Sequence, residues 1–305
     1  MWLFLFDRAV QGLFALWLVA SSVFLLVRLS GDPVALLAGE YATPELEAAI
    51  RARFGLDQPL GLQYLIYMQR LSQGDFGTSI ISGEPALREV LRRWPATLEV
   101  ATMGVVITLA FALPIGVYAA VHRGTVVDYL ARSFAVVGQS VPAFWLGLIF
   151  MLVFAVELRL LPAGGRGGVQ HIILPALTTG WFAMAGIARL TRSSMLEVLG
   201  SEYVKLARAK GLSKRTVIWK HAFRNALIPV VTFTALVIVS LFLAGSIVAE
   251  TIFSYPGVGS LVIQSVRLRD FPQTQAAVLF LSFLYVLVNL LVDVLYRYLD
   301  PKIRV

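Results

Sequence analysis

SEYVKLARAKGLSKRTVIWKHAFRNALIP, residues 201–229, is the longest strongly polar run in the second half of a very apolar chain. From Arg189 to Arg224 there are nine Lys or Arg residues and only two acids, Glu197 and Glu202. On each side lies an apolar segment long enough to cross a bilayer. The punctuation predicts two short helices. Gly200 closes what precedes, Ser201 is placed to cap, and Glu202 complements the positive end of a helix. Gly211 suits a helix C-terminus, Ser213 offers a second cap, and Pro229 fits the first turn of the next span. Lys214 and Arg215 break the local rule, because cations at a helix N-terminus oppose its dipole. A local cost without a local gain points to an external partner.

A solvated basic loop beside a membrane explains this charge. It does not explain Ala207, Ala209 and Gly211 along a helix that also carries Tyr203, Val204 and Leu206. Small residues at that spacing suggest a surface for close packing against another protein.

Composition fixes the class. Of 305 residues, 58% are hydrophobic and 14% charged, whereas soluble domains are about one quarter charged. Several apolar runs reach about 18 residues, the length of a transmembrane helix. The expected fold is all-α and polytopic in a membrane. The net charge of +8 resides in loops beside the spans, which indicates membrane orientation rather than nucleic acid. With no cysteine, disulfides and thiolate chemistry are excluded.

Three regions are expected: 1–28, an N-terminal segment with the first span; 29–95, an extracytoplasmic insert; and 96–305, the main transmembrane domain. The first span is read as uncleaved rather than as a signal peptide, because no small-x-small site precedes Gly31-Asp32-Pro33. The insert balances eight acids against six arginines, with a seventh, Arg28, just before it, and helices are predicted from Pro44 to Phe54 and over 63–71. Further spans are expected over about 96–121, kinked by Pro114, and over 133–156, 171–190, 227–249 and 275–291. With six spans, both termini share a side. Arg8, Arg123, Arg132, the nine cations of 189–224, Arg297, Lys302 and Arg304 fall on it, so the termini and the loop 201–226 are expected in the cytoplasm. Gln139 and Ser140, beside Pro142, line a polar path or bond across helices; both readings stand.

The loop resembles the cytoplasmic coupling loop of ABC-importer permeases, in its dipeptide/oligopeptide branch. That pattern is E-Y-x-x-x-A-R-A-K-G, about a dozen residues, then R-N-A-x-x-P. Here it is carried by Glu202-Tyr203, Ala207-Arg208-Ala209-Lys210-Gly211-Leu212, and Arg224-Asn225-Ala226 with Pro229. Lys205 stands where sugar-type permeases place a glutamate, and the Gly-to-Pro spacing is longer; both departures resemble the peptide branch. FGLDQPL (54–60), GDFGTS (74–79), FSYPGVG (253–259) and the terminal D-P-x-x-R (300–304) also match that branch.

The resemblance implies a type I ABC importer permease fold with six transmembrane helices in the bacterial inner membrane. It implies four kinds of partner: a homologous permease subunit, two cytoplasmic ATPases, an extracytoplasmic binding protein and the lipid bilayer. Glu202, Tyr203, Ala207, Arg208, Ala209, Lys210, Gly211 and Leu212 would contact the ATPases, with Glu202, Arg208 and Lys210 fixing register. Phe253, Tyr255, Pro256 and Gly257 would contact the binding protein. Gln139, Ser140, Ser240 and Ser246 are expected on the pathway wall. No G-x-x-x-x-G-K-[ST] loop is present, so ATP and Mg²⁺ are expected in the partner subunits and the chain is not read as an enzyme.

The implied cargo is di- or oligopeptides, with glutathione and nickel chelates on the same scaffold. An ion-coupled transporter would need midplane acids, but Glu99, Glu157 and Asp293 all sit near span ends. A membrane hydrolase is disfavoured, since His122, His171 and His221 occupy separate loops without a catalytic motif.

Overall fold

The computed structural model describes residues 2–29, 34, 43–240 and 246–299. The Gly31-Asp32-Pro33 turn, positions 241–245 of the expected fifth span and the 300–304 motif lie outside the described residues. The helices are α1 (Trp2–Leu29), α2 (Pro44–Phe54), α3 (Leu60–Ser72), α4 (Ala86–Val121), α5 (Val126–Ser140) and α6 (Ala143–Phe150). They continue with α7 (Gln170–Leu199), α8 (Glu202–Ala209), α9 (Arg224–Ser240), α10 (Ser246–Ile252), α11 (Val258–Arg267) and α12 (Phe271–Leu299). π-helical turns extend α6 over Met151–Glu157 and precede α9 over Val217–Phe223.

Among the described residues, four helices are long and apolar enough to cross a membrane: Phe6–Leu29, Ala86–Val121, Gln170–Leu199 and Phe271–Leu291. The expected third span is broken. Val126–Ser140 and Ala143–Glu157 meet at 111°. The cause is local: Pro142 pushes Val141 into extended backbone, φ −86° and ψ 128°, which ends α5. The expected second span begins ten residues early, because α4 starts at Ala86 rather than Ala96.

The chain divides between Pro95 and Ala96 into two compact units. One comprises Met1–Pro95 with Pro256–Leu291; the other comprises Ala96–Tyr255 with Val292–Val305. The described residues before Ala96 are grouped with α11 and most of α12.

In the first unit, α2 opens on proline with Glu45 and Glu47 in its first turn, and Gly55 ends it at φ +63°. α1 meets α3 through the Ser21 and Tyr64 hydroxyls, 2.7 Å apart, and through Phe24, which packs on Tyr64 and stacks on Tyr67. Gly12 lets α1 approach α12, since a Cβ there would lie 2.6 Å from Val286.

In the second unit, α7 is the central helix. Two thirds of its apolar window is buried, and it packs on α5, α6, α9 and α10. Its small residues (Ala176, Gly180, Ala183, Ala185 and Ala188) permit close approach. A Cβ on Gly138 of α5 would lie 2.7 Å from Ala185, and one on Gly116 of α4 would lie 2.5 Å from Thr191.

Candidate functional site: the coupling surface

α8 is a two-turn amphipathic helix held down by its own chain. Val204 and Ala207, three residues apart, are buried with Val117 and Ala120 of α4, Met195 of α7, and Val217, Ala222 and Ala226 ahead of and within α9. Ala207, expected on the surface that meets the ATPases, thus faces inward instead, and its small volume lets α8 lie close to the ends of α4 and α7. The outward face carries Glu202, Tyr203, Lys205, Leu206, Arg208, Ala209, Lys210, Gly211 and Leu212. Leu206 is 57% exposed, a large apolar side chain among cations. Lys205 Nζ pairs with Glu202 at 2.8 Å, an exposed contact worth little alone.

Gly211 ends the helix at φ +75°, the left-handed conformation that favours glycine, and its missing Cβ would meet nothing within 4 Å. Ser213 caps as expected, accepting from Thr216 N at 3.3 Å. The second short helix does not stand apart, however. It is one turn, Lys214–Thr216, that continues through the π-helical segment into α9, and Pro229 lies inside α9 rather than in a first turn. The apolar Val217, Ala222 and Ala226 bury against the core, so the chain continues as helix instead of breaking.

A buried acid braces this end of the unit. Asp128, 1% exposed, accepts from Arg192 Nε at 2.5 Å and Nη2 at 3.0 Å, and from Gly124 N at 3.0 Å; Arg132 lies 3.4 Å away. Asp128 sits in the first turn of α5. The hydrogen bonds from Arg192 and Gly124 satisfy the buried carboxylate and hold it against the core.

A second polar cluster ties three separate stretches of the same unit. Arg166 donates to Glu99 through Nε at 3.2 Å and Nη2 at 2.6 Å, and the Tyr255 hydroxyl donates to Glu99 Oε2 at 2.6 Å. The bond to Glu99 raises the Arg166 pKa, and burial, then the same carboxylate, raises that of Tyr255. Tyr255 is buried with Ala96 and Val100, and Phe253 with Leu146, Phe150 and Leu174. Gly257 is buried and Pro256 half-buried. Phe253, Tyr255 and Gly257, expected at a binding-protein surface, are thus packing residues of this chain, while Ser254 between them is exposed.

The four expected pathway residues fall in different settings. Ser140 is exposed at the break of the third span and donates to Val136 O at 2.8 Å; Gln139 beside it is half-buried. Ser246 is fully buried in α10. Ser240 ends α9, and its side chain lies outside the described residues.

Sequence reasoning gave Asp128 and Glu99 no binding role, since each reads alone as a span-edge charge. Their partners are 64 and 67 residues away, and no local spacing encodes that.

Comparison with known proteins places this arrangement. Residues 1–101 match "Binding-prot-dependent transport system membrane comp, N-term". The "Glutathione transport system permease protein GsiC" of Salmonella paratyphi A is 45% identical over 290 residues, covering 95% of this chain and 94% of its own. Its namesake in Escherichia coli K12 is 44% identical over the same coverage. A solved structure titled "Inward facing conformations of the MetNI methionine ABC transporter: CY5 native crystal form" superposes with TM-score 0.57 at 19% identity, over 71% of this chain and 99% of that one. That likeness shows the fold, a type I ABC importer permease. Residues 112–305 match "Binding-protein-dependent transport system inner membrane component", and the chain belongs to that family as an inner-membrane permease of an ABC importer.

Proposed function

We propose that this chain forms half of the translocation pathway for small peptides, with glutathione the first candidate cargo. The observation that carries the reading is the 45% identity, over 95% of the chain, to a relative named a glutathione transport permease. The other half of the path belongs to a homologous permease subunit. Two ATPase subunits bind ATP and Mg²⁺, and this chain performs no catalysis. Six spans, with both termini and the coupling surface in the cytoplasm, agree with the basic residues of 189–224.

The proposed mechanism rests on rigidity. The outward face of α8, with Tyr203, Leu206, Arg208, Lys210 and Leu212, takes the ATPase. Its inward face, Val204 and Ala207, is packed on α4 and α7. ATPase closure therefore moves α8 together with the ends of two long helices. The polar surface of 43–94 and the exposed part of 253–272 seat the binding protein. Gln139 and Ser140, at the break of the third span, wall the path, whereas the burial of Ser246 removes it from that wall.

The test is uptake by the reconstituted complex with its binding protein in proteoliposomes. ATP-dependent glutathione uptake, competed weakly by longer peptides, supports the reading. Uptake of oligopeptides or a nickel chelate in its place would reassign the cargo, and uptake without ATP would refute the importer assignment. Cysteines at Gln139 and Ser140, in a chain with no natural cysteine, should react with a small polar reagent only during cycling.

A further inference from the structure

Arg28 closes the apolar helix α1, at the opposite end from Asp7 and Arg8. Its guanidinium lies 5.2 Å from the Phe24 ring centroid and 5.1 Å from that of Phe271. Two rings therefore fix its direction. The charge has no acidic partner among the described residues, and its Nε is buried without a hydrogen bond. An ordered cation that is half out of water is costly unless an anion lies against it.

The surroundings indicate which anion. α1 is the least enclosed of the long apolar helices, with 17% of its apolar window buried, so it faces lipid or another membrane helix. Beside it, α3 turns Tyr64 and Tyr67 toward Phe24 and leaves Leu60, Leu62, Leu65 and Ile66 exposed. An amphipathic helix with a bare aliphatic face, here Leu62, Leu65 and Ile66, tied to the end of a span, lies in the boundary between headgroups and acyl chains. Arg28 sits at that depth, where a span-end arginine reaches the headgroup layer.

We propose that Arg28, framed by Phe24 and Phe271, is a binding site for the phosphodiester of an anionic phospholipid in the leaflet on the α3 side. The guanidinium takes the phosphate as a planar, multi-donor cation. The exposed leucines of α3 take the acyl chains. Lipid binding would fasten α3 and the start of α12 to the membrane edge.

The test uses the complete importer complex in nanodiscs of phosphatidylcholine with a minor share of phosphatidylglycerol. After transfer to mild detergent, retained phosphatidylglycerol is counted by native mass spectrometry for wild type, Arg28→Gln and Arg28→Lys. Arg28→Gln should reduce retention about fivefold, the scale of one cation at an anionic surface, with Arg28→Lys between the two. Equal retention by all three overturns the proposal. Loss of the bound lipid from wild type on adding millimolar inorganic phosphate also overturns it, in favour of a free-anion site. Unchanged retention with loss of binding-protein capture would overturn it too, assigning Arg28 to a protein partner. Arg28→Lys keeps the experiment decisive if Arg28→Gln fails to assemble.

Discussion

The Ser79 hydroxyl donates to the Asp270 carboxylate at 2.5 Å, across 191 residues of chain. The same carboxylate accepts from Ile80 N at 3.1 Å and Ile81 N at 3.4 Å, and caps α12 through Gln273 N at 3.3 Å. One buried acid thus fastens the loop after GDFGTS to the start of the last long helix. Asp270→Ala leaves these donors unsatisfied and should cost about 1–3 kcal/mol. Thermal unfolding in detergent should show a lower midpoint, and limited proteolysis should cut within 74–85 sooner. Wild-type resistance at that loop would contradict the clamp.

Asp128→Asn should be the more damaging change at the other polar brace. It leaves Arg192, 19% exposed, facing a neutral amide, at a cost of about 3–5 kcal/mol. Thermal unfolding in detergent should show a lower midpoint for Asp128→Asn than for Asp270→Ala. An unchanged midpoint would remove Asp128 from the account.

Gly211 separates strain from steric clash. A Cβ there meets nothing in this chain, so Gly211→Ala carries only the left-handed backbone cost of about 1 kcal/mol. Gly211→Leu adds bulk on the outward face. The expected outcome is normal membrane insertion for both variants, with loss of ATPase co-purification or of coupled uptake for leucine and a partial defect for alanine. Normal docking and uptake by Gly211→Leu would defeat the assignment of this surface.

Gly116→Ala should damage the core between α4 and α7. The new methyl group would sit 2.5 Å from Thr191 Cβ and 2.7 Å from the Ala188 carbonyl, on the central helix. Overpacking of this kind costs about 1–3 kcal/mol. Thr191→Ala removes only part of the clash, so the double variant should recover part of the lost thermal stability. Full stability of the single variant would mean that α4 and α7 are free to separate.

The sequence by itself determined the class and the coupling loop. Uninterrupted apolar length can be satisfied only by helices in a membrane, and that constraint is local to each segment. Gly211 and Ser213 were legible for the same reason, since one needs a positive φ and the other needs an orphan amide two or three residues on. The break at Val141 was legible in principle from Pro142, but not its 111° angle, which depends on what each half packs against. Only the tertiary structure decided which face of a short helix turns inward. Ala207 and Ala209 look equivalent in sequence, yet Ala207 is buried on Val117 and Met195 while Ala209 is exposed. Likewise Tyr255 and Phe253 read as surface aromatics in a loop and are instead core, because Glu99 and Leu174 reach them from distant helices. Charge pairs such as Asp128–Arg192 and hydrogen bonds such as Ser79–Asp270 depend on three-dimensional proximity, and hydrophobic periodicity carries no information about that.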